Sequence, residues 1–163
     1  MGKWRYCIPQ HPLHFLNLDQ MAYWLFQGNP RYHRVLDAIR EQTEMPWLVT
    51  RYKNKIQVGD GVLIWMAGEA AGIYAIAEII SLPTVISPKD IQDRDYWTDP
   101  KRLRADKPRS QIRFIRKLLG QPLRKIELRF DGILRDLDVI HTPSSTNFKI
   151  TPEQWLRVHQ LKG

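Results

Sequence analysis

A chain of 163 residues, 43% hydrophobic and 26% charged, has the composition of one globular domain: too short for two full cores, too apolar for a disordered chain. No apolar run approaches the roughly 20 residues that cross a bilayer, the opening segment lacks the apolar stretch of a secretory signal, and the single cysteine, Cys7, excludes an internal disulfide or a cysteine zinc cluster. Twenty-five Lys and Arg against seventeen Asp and Glu give a formal charge of +8, which favours polyanions, above all nucleic acid, over acidic metabolites as partners.

Residues 3–9 alternate as a first strand ending at Pro9. Asp19 is placed to cap a helix over Gln20–Gln27, where Met21, Trp24 and Leu25 recur at helical spacing, and Gly28-Asn29-Pro30 stops it. A second helix is expected from Arg31 to Gln42, with Val35, Leu36 and Ile39 on one face. Trp47-Leu48-Val49 is a short strand signal, and Val62–Ala67 with Ile73–Ile80 reads as a hairpin of two buried strands. Residues 84–108 form a long irregular excursion, a length that in compact domains often marks function. Ser110–Leu119 reads as another strand, with Ser110, Ile112 and Phe114 on one face and Gln111, Arg113 and Ile115 on the other. Short helical pieces follow over Leu123–Leu137, interrupted by Gly132. Thr151-Pro152 opens a C-terminal helix with Trp155, Val158 and His159 on its inner side. This order favours an α+β mixed barrel with peripheral helices over a doubly wound sheet.

The segment Ile56–Pro83 (IQVGDGVLIWMAGEAAGIYAIAEIISLP) carries an isoleucine, a Gly-Asp turn, an apolar strand ending in Trp65, a Gly, then Gly-Ile-Tyr-Ala and a Pro. With Trp47 before it and Thr146-Asn147-Phe148 before the last helix, it resembles the EVE domains of the PUA-like superfamily, related to ASCH and YTH domains. The resemblance spans roughly residues 4–160. It implies a PUA-like pseudobarrel, one domain over residues 1–163, with the helical stretch at about 19–42 as an insertion. It also implies a pocket for a modified nucleobase, such as a methylated cytosine in DNA or a modified base in RNA.

Trp47 is the first candidate for a pocket wall, on the strength of that resemblance; Trp65 and Trp97 are further candidates, and Tyr74 joins them unless its hydroxyl only reaches a backbone carbonyl. Gln10 and Asn147 can each donate and accept toward a base edge, though Asn147 can equally brace its own loop. Arg51 can contact phosphate or stack on a base, and Gly68 can admit a planar ligand against the backbone. The stretch 101–129 is rich in cations, and Arg102, Arg104, Lys107, Arg109, Arg113, Arg116 and Lys117 are the expected phosphate contacts; a solvated, solubilising face is the alternative. The five histidines stand at no metal-ligand spacing, and no hydrolase or nucleotide-binding motif is present. The expectation is therefore a non-catalytic, metal-free and cofactor-free cytoplasmic reader, acting with an effector such as a nuclease. A general RNA or single-stranded DNA accessory module is the alternative. A third reading, a metal-dependent nuclease, would use acidic pairs such as Asp93/Asp95 or Asp136/Asp138.

Overall fold

The computed structural model describes residues 21–162. The strand expected at 3–9 and Gln10 lie outside the described residues. Strands β1 (Tyr23–Gly28), β2 (Glu44–Leu48), β3 (Gly61–Met66), β4 (Gly72–Ile79), β5 (Arg109–Lys117), β6 (Leu123–Arg124) and β7 (Asn147–Ile150) form one mixed sheet in the order β2-β5-β4-β3-β1-β7, with β6 on the flank of β4. β1 runs parallel to β3 and antiparallel to β7; the other pairs are antiparallel. Helices α1 (Val35–Glu41), α2 (Lys125–Leu128), α3 (Asp138–His141) and α4 (Pro152–Lys162) are peripheral.

The expected helix over Gln20–Gln27 is a strand instead. Trp24 and Phe26 face one core, with Val62, Ile64, Tyr74, Ala77 and Ile112, while Leu25 faces a second, with Leu63, Trp65, Ile73 and Ile76. A strand buried on both faces shows a continuous apolar run instead of alternation, and a short run of that kind imitates helical spacing. The expected second helix is shortened to Val35–Glu41, because residues 29–34 run alongside 96–98 instead: Arg34 N–H donates to Tyr96 O (2.8 Å) and Thr98 N–H to Tyr32 O (2.9 Å). The inner core, which includes α1, fills the curl of the sheet; the outer one lies under α2–α4.

The hairpin β3–β4 is as expected, with irregularities at Ile64/Trp65 and Ile76/Ala77 that bend the sheet. Asp60 holds the Gly-Asp turn before it: its buried carboxylate accepts from Trp24 Nε1 (2.8 Å), Gln57 N (2.9 Å) and Ala22 N (3.3 Å). The 84–108 excursion contains only single 3-10 turns, at Pro88–Asp90, Arg94–Tyr96 and Pro100–Arg102. At α4 the Thr151 hydroxyl accepts from Gln154 N–H (3.1 Å) while Gln154 Oε1 accepts from Thr151 N–H (2.9 Å), a reciprocal cap.

The outermost strands, β2 and β7, meet through one side chain. Asn147 is fully buried; its Oδ1 accepts from Thr50 N–H (2.8 Å) and Arg51 N–H (3.3 Å), and its Nδ2 donates to Leu48 O (3.1 Å). An amide presents the same donor and acceptor as a peptide group, so Asn147 extends the ladder across the gap where the half-barrel comes together.

Candidate functional site

A cavity of about 390 Å³ opens where the end of β1, strand β2, the loop before β7 and the long excursion meet. Trp47 borders it from β2, where it is only 6% exposed because its indole also belongs to the inner core. The ring approaches closely because residue 28 is glycine: a Cβ there would lie 2.7 Å from Val35 Cγ2 and 3.3 Å from Trp47 Cζ2. Trp97, half-buried, borders the cavity from the excursion. The loop 143–146 supplies another wall, tethered by Gln27: its Nε2 donates to Pro143 O (2.8 Å) and Ser145 O (2.7 Å), and its backbone N–H to Thr146 O (2.8 Å).

Behind Trp97 lies a buried polar cluster. Asp93 Oδ2 is 2.9 Å from His33 Nε2 and accepts from Trp97 Nε1 at 3.1 Å, and the His33 and Trp97 rings meet edge to face at 4.9 Å. The pairing of the two segments continues here through a bridge between His33 and Trp97, so the backbone fixes both rings. At the rim, Tyr32 is covered by two guanidinium groups, Arg102 at 4.4 Å and Arg31 at 5.7 Å from its centroid. Arg104, also at the rim, has φ +48°, a left-handed conformation uncommon for a residue with a side chain. Its carbonyl is held by Arg109 Nη1 at 3.2 Å.

Of the sequence candidates, Trp47, Trp97, Arg102 and Arg104 come together at this cavity. The others do not. Trp65 is buried in the outer core, on the opposite face of the sheet. Tyr74 is buried in the inner core and donates its hydroxyl to Ala70 O at 2.5 Å. Gly68 serves a turn, with φ +98°. Both ends of the Asn147 amide hold the barrel seam and leave nothing for a base edge. Arg51 is exposed outside the cavity and lies over the neighbouring Tyr52 ring at 4.9 Å.

The basic run divides in the same way. Arg109 is 1% exposed and its guanidinium donates to the carbonyls of Leu103, Arg104 and Lys107, so it organises the excursion from within; burial lowers its pKa, with Asp93 and Asp106 opposing. Arg113 is exposed but bonded to Glu78 (Nη2 2.6 Å, Nε 2.9 Å), a hydrogen bond that raises its pKa. Lys117 donates to Arg40 O and Gln42 O at the C-terminal end of α1, where a cation complements the helix dipole. Arg116 and Lys107 remain outside the cavity lining, on β5 and the excursion. Sequence reading missed Tyr32, His33 and Asp93. Asp93 stood out only as half of an acidic pair, and nothing local connects it to a histidine sixty residues earlier. Among the described residues no three His, Cys, Asp or Glu side chains group as a metal site, and no helix is long and apolar enough to cross a membrane.

The fold recurs in solved structures of low sequence identity. A protein from Pseudomonas putida superposes with a TM-score of 0.64 at 19% identity, covering 87% of this chain and all of its own. Human THYN1 in complex with 5-methylcytosine-containing DNA gives 0.62 at 14% identity, covering 86% of this chain and 97% of that one. A mutant ASCH protein from Zymomonas mobilis gives 0.54 at 11% identity, covering 86% and 98%. No curated protein matches. These likenesses show the PUA-like fold, and the family model of the EVE domain matches residues 22–161, from the start of β1 almost to the end of α4; the chain thus belongs to the EVE domain family.

Proposed function

We propose that this protein is a non-catalytic nucleic-acid-binding module that takes a modified nucleobase, such as a methylated cytosine, into the Trp47–Trp97 cavity. The observation that carries this reading is the pairing of two indoles at one cavity with two rim arginines, Arg102 and Arg104. A base leaves its stack at a cost of a few kcal/mol, and stacking on aromatic faces returns about 1–3 kcal/mol per base. The rim arginines contact the phosphates flanking the extruded nucleotide, a sequence-independent and salt-sensitive term. Human THYN1, which shares the fold, is seen with 5-methylcytosine DNA, and this supports nucleic acid as the partner class. Recognition then passes to an effector such as a nuclease.

The test is binding to otherwise identical oligonucleotides with and without the modification. Trp97→Ala is a cleaner probe than Trp47→Ala, because Trp47 is also core and its loss costs about 3–5 kcal/mol of stability. Trp97→Ala is expected to weaken modified oligonucleotides about 5- to 100-fold and erase the preference. Arg102→Ala is expected to weaken all sequences alike and to reduce the salt slope by about 0.7–0.9. Equal affinity of the wild-type protein for modified and unmodified strands would instead identify a general accessory module.

A further inference from the structure

Asp93 is a buried carboxylate with one oxygen satisfied and one not. Oδ2 meets His33 Nε2 and Trp97 Nε1, whereas Oδ1 is buried and has no hydrogen-bond partner among the described residues. The residue is 3% exposed and borders the cavity, together with His33 and Trp97. Unpartnered buried carboxylate oxygens are costly, and this one is screened from bulk water, so a donor that meets it has to arrive with the ligand. The guanidinium of Arg109 is near enough to favour Asp93 electrostatically, yet its hydrogen bonds go to the carbonyls of residues 103, 104 and 107.

Bases differ in what they offer such an oxygen. Cytosine and adenine carry an exocyclic amine whose outer N–H can be reached without bringing an acceptor against the carboxylate. Thymine and uracil offer a carbonyl at the equivalent position. Their only pairing-edge donor, the ring N–H, lies between two carbonyls that would face the carboxylate. From this we infer that Asp93, oriented by His33 and Trp97, makes the cavity selective for amino-bearing bases. This rests on the base-reading function proposed above and adds a discrimination that a stacking cage alone lacks: 5-methylcytosine and thymine share the 5-methyl group and similar ring faces, and differ at the amine.

The experiment is on the ligand side, so the fold is untouched. Wild-type protein is titrated with single-stranded oligonucleotides carrying cytosine, 5-methylcytosine, thymine or 5-methyl-2-pyrimidinone at one position; the last replaces the amine with hydrogen. The expected result is that 5-methylcytosine binds at least about tenfold more tightly than thymine and the pyrimidinone. In Asp93→Asn, whose amide can donate to a carbonyl, the gap between 5-methylcytosine and thymine should narrow. If 5-methylcytosine is preferred over cytosine while thymine and the pyrimidinone bind as well as it does, the role of Asp93 is overturned and the base-reading function stands. If all four bind equally, both are overturned.

Discussion

Single side chains explain why residue identity and site membership part company here. Asn147, Trp65 and Tyr74 carry the right chemistry for a base pocket, yet they serve the seam, the outer core and a turn. Conversely, Asp93 looked like ordinary loop charge, because its importance comes from a partner 60 positions away. Asn147 gives a sharp test of its structural role. Asn147→Asp keeps an acceptor for Thr50 N–H but sets a carboxylate oxygen against Leu48 O, and is expected to lower unfolding free energy by about 2–4 kcal/mol in urea titration. An unchanged midpoint would remove the seam from the account.

Among the elements, the β3–β4 hairpin, the excursion, β5 and the capped terminal helix were legible because each has a local signature: paired apolar runs, Pro and Asp punctuation, alternation, Thr-Pro. The first strand was not. Tyr23–Gly28 has apolar residues for both faces, and only the parallel pairing with β3 and the two cores show why it is extended. Its last residue also shapes the cavity. Gly28→Ala sets a methyl against Val35 and the Trp47 indole, and overpacking there is expected to cost about 1–3 kcal/mol and to alter tryptophan fluorescence. A variant with native stability and an unchanged spectrum would show that the wall has slack.

At the scale of the whole molecule, the cationic stretch is no uniform grip. Arg109 builds the excursion, Arg113 and Lys117 bind within the fold, and Arg102 and Arg104 stand at the cavity mouth. Net charge showed the class of partner, but only the fold shows where the charge is available. The protein should also be acid-sensitive through His159. Burial, and then the charge of Arg116, hold its pKa below the ordinary 6.5, and its Nε2 is buried without a partner among the described residues. The unfolded chain therefore takes up this proton first, so stability is full above about pH 6.5 and declines as pH falls from there toward the folded-state value. Urea midpoints at about pH 7.5 and 5.5 should differ more for wild type than for His159→Leu; parallel shifts would place the sensitivity elsewhere.

The central claim, that the cavity reads a modified base, is tested most directly by competitive binding of two strands that differ only by methylation of one cytosine, at fixed salt. The account predicts tighter binding of the methylated strand, with the difference abolished in Trp97→Ala. Equal binding of the two strands by the wild-type protein would contradict it.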